Sequence, residues 1–301
     1  MAVGRALTSS GPISDRVRQT VLLLRRRGYA VGPARLAEIC LGGPLSESEV
    51  RWAVAACRDL VISDELVVDT SSLSRITDIR GRARAHHAEA SAYMQMTRAF
   101  VRILVGVAPF IRSVSIAGSL ASGGFRQSDD VDLNLIVDDG YRHLAYVVVN
   151  FLGLVHALRH RAKPVDDLTR RPLAPRLMTA NLILERSQCI ALQRQDEDMA
   201  FELLISEPVF GVETIHQVIE SNPGLLEQFP QLAGKAAPLL IRSPAWRLPR
   251  AAFPKVADGA ARTLGATAWR YMQWTRRHKP DALARVAYVR ATMRPYALFD
   301  E

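Results

Sequence analysis

The chain has 301 residues, 49% of them apolar, which is ordinary for a globular protein and enough for two or three domains with a sizeable core. Positions 1 to 20 lack a continuous apolar stretch, and the longest apolar run, Leu144 to Leu158, is broken by Asn150 and His156, so neither a secretory signal nor a membrane span is expected. Three scattered cysteines, Cys40, Cys57 and Cys189, point to a reducing cytoplasm and to no zinc motif.

The net charge of +9 is uneven. Residues 1–80 carry 11 basic and 9 acidic side chains, residues 81–234 carry 15 and 17, and residues 235–301 carry 13 and 4. The excess lies at the C-terminal end. A concentrated cationic region favours polyanions such as nucleic acid, although a solvated helical face has the same composition.

Three short helices are expected first. Asp15 to Arg27 has Val17, Val21, Leu22 and Leu24 near helical spacing and stops at Gly28-Tyr29. Pro33 suits the first turn of a second helix, Ala34 to Leu41, which Gly42-Gly43-Pro44 ends. Ser46-x-x-Glu49 is a capping box for a third helix running to Leu60. Glu65 to Asp69 then reads as a strand, which completes a winged helix-turn-helix layout over residues 14–70. Such modules bind DNA, bind proteins or position substrates. The presumed recognition helix offers only Arg51 and Arg58 against Glu47, Glu49 and Asp59.

Arg80 to Val107 reads as a long helix whose adjacent His86 and His87 point in different directions and make poor joint metal ligands. Ser113 to Ala117 reads as a strand ending at Gly118, and Leu133 to Val137 as a second strand stopping at Asp138-Asp139-Gly140. Tyr141 to His160 is an apolar helix, Arg159 to Pro175 a basic loop, and Met178 to Glu185 a third strand. From Asp196 onward the pattern is helical, with helices at Met199–Ile205, Glu213–Glu220 and Gly259–Lys279 and a loose connection over 233–258. This order predicts an α+β protein, a mixed sheet flanked by helices. The expected divisions are 1–78, 79–195 and a helical C-terminal region, 196–301, with a basic tail.

The chemistry concentrates in residues 116 to 133. Gly118-Ser119 follows an apolar run, and Asp130 and Asp132 stand one residue apart at the start of the next strand. Residues two apart on a strand share a face, and two carboxylates on one face need a cation between them. Gly118 lets the backbone approach a phosphate, Ser119 can offer its hydroxyl and N–H, and Gly123-Gly124 keeps the loop open. The bland alternative is a hairpin with solvated acids near a turn. The same period of two sends Asp129 to the opposite face, where solvation is expected.

Gly-Ser, a spacer of about ten residues, then Asp-x-Asp at the head of an apolar strand resembles the nucleotidyltransferase superfamily of DNA polymerase β. Pro109-Phe110-Ile111-Arg112, Ala117-Gly118-Ser119-Leu120-Ala121 and Asp130-Val131-Asp132-Leu133, behind a winged helix, resemble one bacterial branch of it. Ala200-Phe201-Glu202-Leu203, a Pro208-Val209-Phe210-Gly211 turn and Asn222-Pro223 extend the likeness as framework over roughly residues 15–232. The resemblance implies transfer of an NMP from an NTP to an acceptor hydroxyl, with pyrophosphate released. It implies Mg²⁺ or Mn²⁺ on Asp130 and Asp132, and nucleotide contacts from Gly118, Ser119, Arg126 and Ser128. Relatives place a third carboxylate on the next strand. Here the middle position there is Asn181, with Glu185 about 13 Å further along.

The acceptor is open between a small molecule, a nucleic-acid end and a protein side chain. Trp269, Tyr271 and Trp274 among Arg270, Arg276 and Arg277 suit stacking with phosphate contact, though aromatics at helical spacing are also core formers. The contrasting possibility is an NTP-binding regulator of impaired catalysis that binds nucleic acid through its winged helix or tail. No Rossmann fingerprint, Walker A loop or nucleophile elbow competes.

Overall fold

The computed structural model describes residues 12–159 and 177–276, with 287, 296, 298 and 299. The basic loop expected at 159–175 falls outside them from residue 160 onward, as does the tail beyond Arg276, including Arg277.

Three helices open the chain, α1 (Ile13–Arg26), α2 (Pro33–Glu38) and α3 (Glu47–Ala56). The capping box forms as expected: the Ser46 side chain accepts from Glu49 N and the Glu49 carboxylate accepts from Ser46 N. The third helix is shorter than its pattern suggested. Cys57 is extended, and Leu60–Ser63 is a strand, β1, paired antiparallel with β2 (Leu66–Asp69). Asp64 and Glu65 turn between them at positive φ, the conformation a two-residue hairpin requires. Val61 and Ile62 are β-branched and gain more from pairing across that turn than from prolonging the helix.

A 3₁₀ turn (Thr70–Arg75) leads into α4 (Ile76–Val107), then β3 (Ile111–Ala117), α5 (Gly118–Ser122), β4 (Val131–Val137), α6 (Arg142–Ala157) and β5 (Met178–Glu185). After α7 (Arg186–Ile190) and α8 (Glu197–Ile205), residues Glu207–Phe210 form β6, a strand where helix and turn alone were expected. Then come α9 (Val212–Glu220), α10 (Pro223–Gln228) and α11 (Val256–Arg276). The sheet order is β5-β4-β3-β6, with β4 parallel to β5 and the other pairs antiparallel. Gly211, at φ +65, ends β6; a Cβ there would overlap the Arg112 carbonyl of β3. The tetrapeptide Pro208–Gly211 therefore closes the sheet edge.

The two faces of the sheet serve different cores. Val114, Ile116, Leu133, Leu135 and Ile183 pack with Phe100, Leu104 and Val149 of α4 and α6. Ile136, Leu182 and Leu184 on the other face join a core that contains Phe201 and Phe229 and also Val21, Leu24, Leu36 and Val50 of the first three helices. One apolar core thus runs across the boundaries expected at 78 and 195. Arg27 reinforces it: its guanidinium reaches Asp198, lies over the Phe201 ring and approaches Glu202.

Candidate active site

β3 ends at Ala117, whose register partner on β4 is Asp132. Gly118 then turns the chain at φ +62, and a Cβ at this position would overlap Asp132 Oδ2. Glycine is needed here for the left-handed backbone and for the close approach of the carboxylate. The Ser122 hydroxyl donates to the Gly118 carbonyl at 2.8 Å, Gly124 N donates to the Ser119 carbonyl at 3.1 Å, and α5 stops at Gly123, φ +99. Ser119 is buried in this turn.

Asp132 on β4 and Asp130 just ahead of it both reach one residue of β5. The Thr179 hydroxyl lies 3.2 Å from Asp130 Oδ2 and 3.0 Å from Asp132 Oδ1, so one small group on β5 touches both carboxylates. The parallel register sets this directly, pairing Asp132 with Thr179. Thr179 is 8% exposed, which places the convergence at the floor of the site.

The residue of β5 facing the pair is therefore Thr179 and not Asn181. A register shift between Leu133 and Asn134 takes Asn181 out of line. Its amide donates to Asn134 Oδ1 at 3.0 Å and to Glu202 Oε1 at 3.3 Å, while Asn134 donates to the same Glu202 oxygen at 3.0 Å. Glu202 is buried on α8 and anchors a carboxylate–amide cluster one pleat from the acid pair. Glu185 sits at the other end of the strand, opposite Val137, where its carboxylate accepts from Gly140 N at 2.8 Å and caps α7. Both positions considered for a third acid have structural duties.

The connecting loop is held by α4. Asp129, expected in solvent, is 12% exposed and accepts from Arg82 at 3.0 Å and from Arg126 N at 3.2 Å. Residues 127–129 form a turn and β4 begins only at Val131, so alternation along a strand does not extend to Asp129. The Arg126 guanidinium pairs with Asp78 of α4 instead of turning to the acid pair. Burial alone would raise the Asp78 carboxyl, but the Arg126 hydrogen bond and charge, with Arg82, hold it below the ordinary carboxylate range. Ser128 occupies the turn two residues before Asp130. Arg82 also donates to the Gly124 carbonyl at 3.2 Å, and the Tyr29 ring fills the space a side chain at 124 would need.

No family model, curated protein or solved structure matches this chain. The site therefore rests on its own geometry. Among the described residues no group of three or more His, Cys, Asp or Glu side chains could hold a metal ion, and no helix is long and apolar enough to cross a membrane.

Sequence reasoning missed Thr179, Glu202, Arg82 and Tyr29 as site-forming residues. Thr179 had a signal, since it is the second residue of the expected strand, but its register against Asp132 was not readable. Arg82 and Tyr29 lie 47 and 95 residues from Asp129 and Gly124 and carry no local signal.

Proposed function

We propose that this chain is a metal-dependent nucleotidyltransferase, with a winged helix ahead of a nucleotidyltransferase-type sheet, and that it moves an NMP from an NTP to an acceptor hydroxyl. The observation that carries the reading is the meeting of Asp130 and Asp132 at one point beside the Gly118 turn, with Gly118 unable to carry a side chain. Two hard carboxylates beside a glycine turn fit Mg²⁺ or Mn²⁺, which such sites hold by one or two acids plus phosphate oxygens. Asp130 and Asp132 would hold the ion, which supplies charge neutralisation at the phosphates when bound. The Gly118-Ser119 backbone and the Ser119 hydroxyl bind the terminal phosphates. The acceptor oxygen attacks the α-phosphorus in line: its bond to phosphorus forms as the α–β bridging P–O bond breaks. Pyrophosphate leaves with that electron pair, and the acceptor proton passes to solvent. Positioning is the protein's main contribution.

The α11 face supports a nucleic-acid acceptor or partner. Tyr271 and Trp274 are 51% and 56% exposed, their rings stack with centroids 6.1 Å apart, and Arg270 is exposed beside them. The α3 surface supports DNA contact less well, because Arg51 is paired with Glu47 and the exposed large side chain is Trp52.

Thr179 favours a second reading. It sets a hydroxyl and not a third carboxylate against the acid pair, so a chain that binds Mg²⁺–NTP and transfers nothing would be a nucleotide-sensing regulator. The test is pyrophosphate release from each of the four NTPs with Mg²⁺ or Mn²⁺ against pooled RNA, metabolites and proteins. Release that depends on one acceptor and vanishes in Asp132→Ala supports the transferase. Binding without release supports the regulator, and undiminished transfer by Asp132→Ala refutes the site.

A further inference from the structure

A cleft of about 170 Å³ opens between α1, β2 and the start of α4, away from the acid pair. Its volume is about that of cavities known to hold a benzene ring. Val21, Val68 and Ile79 form an apolar floor, and all three are buried. Arg25 and Arg75 are the exposed arginines of the lining, and Ser72 lines the cleft with them.

Charge decides what could enter. Asp69 is the acid in the lining, and it is already occupied: it accepts from the Ser71 amide at 2.9 Å and from the Ser71 hydroxyl, and Arg25 lies 3.4 Å away. Arg25 and Asp69 thus offset one another. Arg75 makes no ion pair with any described residue, and Asp78, on the next turn, is shared by Arg126 and Arg82. Arg75 also acts on the Asp78 charge, but that carboxylate serves Arg126 and Arg82 as well, so the lining keeps an excess of positive charge, Arg25 and Arg75 against Asp69. We propose that the cleft is a binding site for a small organic monoanion, a carboxylate carried on a single ring or a short branched chain.

The site shares walls with the loop that holds the acid pair. Tyr29 lines the cleft and packs on Gly124, and α4, which begins directly after Arg75 and supplies Ile79, also supplies Arg82.

Benzoate and benzylamine, titrated by calorimetry into the full chain, test it. The expected result is saturable benzoate binding, none for benzylamine, and benzoate affinity at least about tenfold weaker in Arg75→Glu, a surface change that leaves the floor intact. Asp132→Asn should bind benzoate as the unaltered chain does, which separates this site from the nucleotide site. Absence of saturable benzoate binding, equal binding of benzylamine, or unchanged affinity in Arg75→Glu overturns the proposal.

Discussion

Gly118, Thr179 and the Asp130–Asp132 pair set the chemistry available at the site. Gly118→Ala puts a methyl group into the Asp132 carboxylate and holds an L-residue at φ +62, so one of the two must move. We expect transfer to fall about 100-fold, since displacements near 1 Å have that effect on positioned reactants; thermal melting should show a smaller accompanying loss. Thr179→Asp would add a third carboxylate against the pair at a position 8% exposed. Without metal this variant should be destabilised by about 1–3 kcal/mol through like-charge burial. Mg²⁺ should restore its melting temperature by more than it raises that of the unaltered chain. Absence of a metal response in both proteins would show that the pair does not hold a cation.

At the scale of elements, ion pairs fasten strand ends and loops that packing alone leaves loose. Asp138, just past β4, accepts from Arg112 of β3 at 2.7 and 2.8 Å and also meets Arg250. Burial would raise its carboxyl, yet the Arg112 hydrogen bonds and charge, with Arg250, hold it below the usual range. A depressed carboxylate contributes stability that is present above its unfolded value, about 3.9, and lost as pH falls through the lower folded value. Asp138→Asn should therefore cost about 1–3 kcal/mol at pH 7, and denaturant midpoints of the two proteins should converge below about pH 4. A gap of constant size across that range would assign the effect to packing. Asp258 does a similar fastening between helices: at the start of α11 it accepts from Leu144 N at 2.7 Å and meets His143 Nδ1 at 2.8 Å, so it caps α6 from outside. On the same α11, if Tyr271 and Trp274 stack on nucleotide bases, each alanine substitution should weaken single-stranded RNA binding by about 1–3 kcal/mol, read by fluorescence titration at fixed salt.

For the molecule as a whole, the shared core governs what can be removed. Val21, Leu24, Leu36 and Val50 lie in one apolar cluster with Phe201, Phe229 and Leu182. Deleting residues 1–78 exposes that face of the sheet and α8, and strips Arg27 from Asp198 and Tyr29 from Gly124. We expect the remainder to lose its cooperative thermal transition and to aggregate; a soluble, cooperatively melting fragment would show that the N-terminal helices are an appendage.

The amino-acid sequence by itself determined several features written in short range, though not the hairpin that cuts the third helix off before Leu60. The capping box at Ser46 and Glu49, the strand from Met178 to Glu185, the Gly118 turn and the Asp130–Asp132 pair are all readable because periodicity and turn chemistry act between neighbours. Tertiary structure alone decided that β6 joins β3, that a register shift sends Asn181 to Glu202 and leaves Thr179 facing the acids, and that Asp129 is clasped by Arg82. Those outcomes depend on pairing register and on groups 21 to 97 residues apart, and such contacts are fixed by the burial of whole faces, which no local pattern encodes.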